Sequence, residues 1–294
     1  SATAAGSLGT SLNVFEWEYE HSPEVIKHYH NLVTTWETPN GDEIEDPLSL
    51  WRHSRELMCG FYSRWDPPAP RDWLDARREW HRFVRETIQA GNRSKHPLDT
   101  PFEVANAVDR GLLPAGAGPL GRWRLLRDSF VPNPVPRWVD VGVVRAAEEW
   151  ALKTGGIVWT EFRAVGEAFQ RIPYFGADDN RIADYRGPCA ASRQAHFEGK
   201  NLQQWSRNLV LAPPSSGKIW EQMLGRTHRP GQLEDEVEVY VHLGCRALFD
   251  SFEQARADCR YQEHVLGSRQ KLNDATFVDI PTLQEVSLRE GRLW

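Results

Sequence analysis

Gln222-Met223-Leu224-Gly225-Arg226-Thr227-His228-Arg229-Pro230-Gly231-Gln232 is the most informative run in this 294-residue sequence. Two arginines stand three apart at the end of a helical stretch, bounded by Gly225 and Gly231. Arginine does not lose its charge, and its planar fork matches phosphate oxygens. On a helix, three-residue spacing turns both guanidiniums the same way. Charge so placed is what a loose phosphoryl-transfer transition state needs beside a γ-phosphate. The same spacing also describes a solvated helix end, where the dipole favours arginine, so the pair alone leaves both readings open. Pro230 disfavours the α region for Arg229, and the helix is expected to have ended there.

Outward from this run, short apolar segments alternate with amphipathic ones. Val141–Lys153 has helical spacing and leads through Gly155-Gly156 into Ile157-Val158-Trp159-Thr160, the mark of a strand buried on both faces. A helix over Arg163–Arg171 and a strand over Ile172–Phe175 follow. Cys189-Ala190-Ala191-Ser192 and Asn208-Leu209-Val210-Leu211 read as further strands, then a helix at Ile219–Thr227 and a strand at Val237–Leu243. Such alternation predicts a parallel α/β sheet flanked by helices. From Cys245 to Leu272 the chain reads as mostly helical.

The first half has a different texture. About twelve small and polar residues, expected to be frayed, precede Val14–Tyr19, which alternates as a strand does. Ser22-Pro23-Glu24 opens a helix with proline just inside the cap, and Leu48–Cys59 is a second helix. Beyond the stiff break Asp66-Pro67-Pro68-Ala69-Pro70, residues Trp73, Ala76, Arg77, Trp80, Phe83, Val84 and Ile88 share one helical face. The bases of that block, Arg71, Arg78, Arg82 and Arg85 among them, interleave with Asp72, Asp75, Glu79 and Glu86, as on a solvated face held by i,i+4 pairs. Gly111–Pro136 is rich in glycine and proline and reads as an irregular connector. Three segments are expected: 1–134, a strand–helix junction with a Trp-rich helical insertion; 135–250, the α/β lobe; and 251–294, a helical extension.

The 35 Lys and Arg against 41 Asp and Glu give a net charge of −6. That excludes a uniformly basic nucleic-acid coat but not a local basic groove. The chain is long enough to bury a core without a disulfide or metal staple, and 40% hydrophobic with 26% charged residues is a folding composition. No apolar run approaches the ~18–20 residues of a membrane span, and SATAAGSLGT lacks the regions of a secretory signal. No membrane partner and a cytoplasmic location are expected. Cys59, Cys189, Cys245 and Cys259 form no C-x-x-C pair, and the histidines show no i,i+4 pairing with a carboxylate, so no metal site is expected. Thirteen Trp are many for this length and read as core padding.

The Gln222–Gln232 run resembles motif VI of the superfamily-two helicases, and specifically of the Swi/Snf-like DNA translocases, whose pattern is Q-x-x-G/D-R-x-H-R-I-G-Q. Only Pro230 departs, where the family has Ile. Ser192 to Leu202 resembles motif V, S-T-K-A-G-G-E-G-L-N-L, with agreement at Ser192, Ala195, Glu198, Gly199, Asn201 and Leu202; nineteen positions then lead to Gln222, as in the family. Ile157-Val158-Trp159-Thr160-Glu161-Phe162 resembles motif IV, V-I-F-S-Q-F, and Ile172–Gly176 the strand and glycine that follow. The match covers roughly residues 138–272.

The resemblance implies the second RecA-like lobe of an ATP-dependent DNA translocase, with a mostly helical N-terminal insertion and a helical C-terminal brace. Arg226 and Arg229 would be the arginine fingers, supported at the nucleotide by Gln222 and Gly225, with Gly199 and Asn201 linking nucleotide to DNA. Thr160, Ser192, Arg193, Lys200 and Gln203 would face phosphates of duplex DNA, tracked without base reading and therefore salt-dependent. His228 suits a structural role and a site role equally. ATP with Mg2+ would be held mainly by the first lobe, whose GxGKT-type loop and D-E-A-H-type box are not in the sequence. Ser215-Ser216-Gly217-Lys218 is no substitute, since Ala212 and Ile219 stand where the Walker pattern needs glycine and a hydroxyl. The chain thus looks like half of a motor, cut from a longer chain or naturally split, and is expected to be inactive alone. His196 and Phe197 in place of two glycines restrict the motif V backbone, and Ala212–Gly217 replaces the family's D-x-D-W-N-P turn. A non-catalytic DNA- or protein-binding module retaining the fold is the alternative. The Trp-rich stretch 61–136 also suits a protein-interaction platform.

Overall fold

A computed structural model describes residues 9–44, 46–91, 98–177, 179–196 and 200–292. The chain begins with β1 (Ser11–Glu16), α1 (Pro23–Thr35), α2 (Pro47–Met58) and β2 (Phe61–Trp65). Helices α3 (Arg71–Gly91), α4 (Pro101–Asp109) and α5 (Ala117–Leu126) follow, and β3 (Pro134–Trp138) pairs with β2. Next come α6 (Gly142–Thr154), β4 (Ile157–Thr160), α7 (Arg163–Ala168), β5 (Tyr174–Phe175), β6 (Cys189–Ser192) and α8 (Arg193–His196). The last part holds β7 (Arg207–Val210), α9 (Gly217–Thr227), β8 (Glu236–Val241) and α10 (Arg246–Leu266). It closes with α11 (Lys271–Asp274), β9 (Thr276–Val278) and α12 (Leu283–Arg292). The chain divides into two compact units, one of Ser1–Tyr62 with Pro136–Trp294 and one of Ser63–Val135.

In the first unit seven strands form one sheet, ordered β5-β6-β4-β7-β8-β1-β9, with every neighbouring pair parallel. This is the helix-flanked α/β sheet expected of a RecA-like lobe. Alternate residues of each central strand enter opposite cores, since side chains of a strand point to alternate faces. Val158, Ala190 and Leu209 pack with Val25, Leu32 and Leu57 of α1 and α2 and with Val143 and Ala147 of α6. Ile157, Trp159, Ala191 and Val210 pack with Trp220 and Met223 of α9 and Phe252 of α10. Burial on both faces is why these strands read as unbroken apolar runs.

Several boundaries differ from the sequence reading, each for a tertiary reason. Of the twelve opening residues expected to be frayed, 1–8 lie outside the described residues, and Ser11 already opens β1. Paired with β8 on one side and β9 on the other, β1 is an inner strand of the main sheet. It therefore belongs to the sheet unit, whereas the sequence reading grouped it with the insertion in 1–134. β9 leaves no mark in the sequence, because three residues carry too little periodicity to register. Helix α7 stops at Ala168 and not at Arg171, where Glu148 of α6 takes the next amides: its Oε1 accepts the Gln170 and Arg171 N–H groups at 2.7 and 2.5 Å.

In the second unit, α3, α4 and α5 share a small core of Trp80, Val84, Val104, Val108 and Leu120. The helix α5 corrects the expected irregular connector. Leu120 is buried against α3, and Trp123 meets Trp73 edge-on with ring centroids 5.3 Å apart. Pro119 falls in the first turn of α5, where a missing N–H is tolerated. The interleaved charges pair otherwise than by the expected i,i+4 spacing: Arg78 meets Asp75 at i,i+3 and 3.7 Å, and Glu79 takes Arg122 of α5 at 2.8 Å.

Candidate functional site

The motif VI-like run is built where β7 and β8 begin. Helix α9 ends at Thr227 with His228 as its cap, so Arg229 lies beyond the last helical turn and the i,i+3 alignment expected of the two arginines does not apply. Arg226 and Arg229 are both half-buried. The Arg226 Nη1 donates to the Lys200 carbonyl at 3.1 Å, and the Arg226 carbonyl accepts the Leu202 N–H at 3.1 Å. Arg229 has no side-chain partner among the described residues. Gly225 and Gln222 lie about one and two turns back from Arg229, both half-buried, with the Lys271 side chain 3.7 Å from where a Gly225 Cβ would sit.

A second set of bonds ties this run to the motif V-like one. Asn201, exposed, donates through Nδ2 to Gln203 Oε1 at 2.8 Å, and Gln203 Nε2 donates to the Pro230 carbonyl. Gly231 has φ +96°, which favours glycine, and a Cβ there would come within 2.8 Å of Gln203 Nε2 and displace that amide from the loop. Gln232 spans the rest: its Nε2 donates to Trp205 and Thr227 carbonyls at 3.2 and 2.9 Å, and its Oε1 accepts the Leu233 N–H at 2.9 Å. His228 Nε2 donates to the Thr10 carbonyl at 2.9 Å, fastening the run to the start of β1. Burial lowers the His228 pKa, so the ring is a neutral structural donor. The structure therefore gathers Lys200, Asn201, Gln203, Arg226 and Arg229, while Gly199 lies outside the described residues.

Thr160, Ser192 and Arg193 are a separate group at the opposite, carboxyl end of the strands, the edge at which parallel α/β sheets place their ligands. Thr160 is paired in register with Ser192. Thr160 is 1% exposed, and its hydroxyl is engaged in a local turn with the Phe162 N–H at 3.1 Å and carbonyl at 3.2 Å. The Ser192 Oγ, half-buried, accepts the Ala195 N–H at 3.4 Å and also bonds the Tyr174 hydroxyl. Arg193 is 7% exposed and ion-paired through Nη2 to Glu161 at 2.7 Å. Lys200 stands between the groups: its ammonium donates to His196 Nδ1 at 2.7 Å and to the Asp179 carbonyl at 3.1 Å. His196 donates in turn through Nε2 to the Phe175 carbonyl at 3.1 Å, and burial keeps it neutral by lowering its pKa.

Two residues of this edge carried no assignment from the sequence. Arg55 of α2 is 1% exposed; it donates to Glu161 at 2.5 Å, to the Pro213 carbonyl and Ser251 Oγ at 2.9 Å each, and stacks 4.3 Å over Trp51. Glu161 thus takes a guanidinium from each side. Nothing in the local pattern of His53-Ser54-Arg55-Glu56 signals this, because Arg55 is buried by segments about 100 to 200 positions away. Gly217 of the P-loop-like string donates its N–H to Asp258 Oδ2 at 2.7 Å and packs on α10, so that amide serves helix packing. Among the described residues no group of three or more His, Cys, Asp or Glu could hold a metal ion.

No protein-family model matches the chain, and no curated protein matches it. Among solved structures, the C-terminal part of the Fun30 ATPase domain is similar over 97% of this chain and 98% of that one, at 11% identity and a TM-score of 0.40.

Proposed function

We propose that this chain is the second motor lobe of a Swi/Snf-like, ATP-dependent DNA translocase. The observation that carries the reading is the cross-bonding of the motif V-like and motif VI-like runs around Arg229. Gln203, Gln232 and Arg226 are spent on holding that loop, and the Arg229 guanidinium is left without a partner among the described residues. A permanent charge held but not neutralised suits the developing charge of a transferring phosphoryl group. ATP with Mg2+, bound mainly by a first lobe, would supply that group. Arg229 would stabilise it as the finger, and Arg226, already engaged with Lys200, would act by fixing the loop. Ser192 and Arg193 would contact duplex phosphates, with Thr160 and Lys200 shaping the backbone that presents them, while Gln203 would act through the Arg229 loop it holds.

The engagement of Arg226 and Lys200 inside the fold is what favours the second reading, a non-catalytic DNA- or protein-binding module. ATPase assays with duplex DNA separate the two. This chain alone should turn over almost nothing, and adding a first lobe should raise turnover. In that reconstituted motor Arg229→Ala should cost on the order of 10³ or more and leave the melting temperature unchanged. Robust turnover by this chain alone, or none with the added lobe, would sink the half-motor reading.

A further inference from the structure

The carboxyl edge of the sheet carries a charge imbalance that the fold does not resolve internally. Thr160 and Ser192 are register partners on neighbouring parallel strands, so the residues that follow them, Glu161 and Arg193, emerge side by side. Glu161 Oε2 meets Arg193 Nη2 at 2.7 Å and Arg55 Nη2 at 2.5 Å. Two guanidiniums share one carboxylate, which leaves one positive charge in a place where Arg55 is 1% and Arg193 7% exposed. The Nε of each arginine is buried without a hydrogen-bond partner. Buried charge is normally paired, and an unpaired remainder favours a counter-ion. Glu161, its side chain 21% exposed, and half-buried Ser192 give this edge its opening to solvent.

We propose that Arg193 binds one oxyanion here, that Glu161 limits the strength of that binding by competing for the same guanidinium, and that Arg55 is the positioning residue that keeps Glu161 in place. The proposal deepens, and for its ligand rests on, the phosphate-contact reading above. The net charge of +1 matches a monoanionic phosphodiester better than a phosphomonoester, which carries about −1.5 to −2 at neutral pH. The motif strings quoted above have Gln where Glu161 stands and Thr where Arg193 stands. The carboxylate and the guanidinium therefore depart from that pattern together, and the structure shows them bonded to each other. The shared ligand chemistry is a phosphate oxyanion, from a nucleic-acid backbone or free in solution.

Equilibrium binding of a short duplex DNA across a salt series, with thermal melting in inorganic phosphate at matched ionic strength, tests this. Arg193→Gln should weaken duplex binding about tenfold at low salt and lower the slope of log K against log salt by about one. Glu161 then still pairs with Arg55, so no buried charge is orphaned. Glu161→Gln should tighten duplex binding about tenfold, an effect no purely structural role would produce, through the freed phosphate contact. Phosphate should raise the melting temperature of the unaltered chain, raise it further in Glu161→Gln, and leave Arg193→Gln unmoved. If Glu161→Gln does not fold, Arg55→Gln with Glu161→Gln removes one charge of each sign and should show the same tightening. Equal or weaker binding by these Glu161 variants, or a phosphate response retained in Arg193→Gln, overturns the proposal. Duplex binding absent throughout, with the phosphate pattern intact, supports the oxyanion site with free phosphate as its source and counts against the nucleic-acid reading.

Discussion

At His242 the chemistry of single atoms fixes a tautomer and, through it, a pH response. The ring is fully buried, and its Nδ1 faces the Leu211 carbonyl at 3.3 Å. A carbonyl only accepts, so Nδ1 carries the proton and Nε2 must accept from His21 Nε2, 3.1 Å away. Burial pushes the His242 pKa from its ordinary 6.5 down to about 4, and His21, His196 and His228 are lowered by burial as well. Each of these rings binds its proton less readily folded than unfolded. Stability is therefore lost as pH falls below the ordinary value of ~6.5; for His242 that loss runs down to about pH 4, at up to about 1.4 kcal/mol per pH unit. For His242 the loss amounts to about 3 kcal/mol across that window. Thermal melts between pH 7 and pH 4.5 should show the melting temperature falling with pH, and His242→Gln should flatten part of the fall. A melting temperature that stays level across this window would falsify the assignment. None of this was visible in the sequence, where His21 and His242 are 221 positions apart.

At the scale of elements, α9 is placed by its first residue. A Cβ on Gly217 would lie 2.6 Å from Cys259 Sγ and 2.8 Å from the Cys259 backbone N, and the Gly217 N–H is committed to Asp258. Propensity alone would make Gly217→Ala stabilising by up to about 1 kcal/mol. The collision is with backbone, so overpacking of about 1–3 kcal/mol should win and push α9 away from α10. A lower denaturation midpoint with an unchanged denaturant dependence is the expected result, and a higher midpoint would show that the contact yields. The boundaries of α9 were nearly readable, because Trp220, Met223, Leu224 and Thr227 keep helical spacing and Pro230 forbids continuation. Those of α5 were not: its Gly and Pro content speaks against a helix, and Leu120 and Trp123 outvote that signal by packing against α3.

Across the whole molecule, each compact unit has its own apolar core, and the chain passes from one to the other through β2 and β3. Joining Asp66 to Asn133 by a short Gly-Ser turn keeps the bond between them, Asp66 N–H to Asn133 carbonyl at 3.0 Å, and removes α3, α4 and α5. The remaining chain should unfold in one cooperative transition and keep the acid destabilisation of His242. Loss of that transition would show that the sheet unit depends on the helical one. No described helix is long and apolar enough to cross a membrane.

The sequence by itself determined the α/β class and the strands β4, β6 and β7. Their period and their apolar runs are local properties, and burial on both faces writes them plainly. It also marked the Gln222–Gln232 run as the place to look for chemistry, through residue types that keep a fixed charge and backbone freedom. Tertiary structure alone decided which of those charges stay available. Arg226 and Lys200 read as surface cations in the sequence, yet each is met by a specific acceptor, the Lys200 carbonyl and His196 respectively, whereas Arg193 has only a share of Glu161. Only folding set β1 between β8 and β9 and brought Arg55 to Glu161, because such pairings join segments far apart in the chain and leave no period within either. Hydrogen-bond geometry over a few ångströms, not charge along the chain, decides which of these cations the fold itself engages.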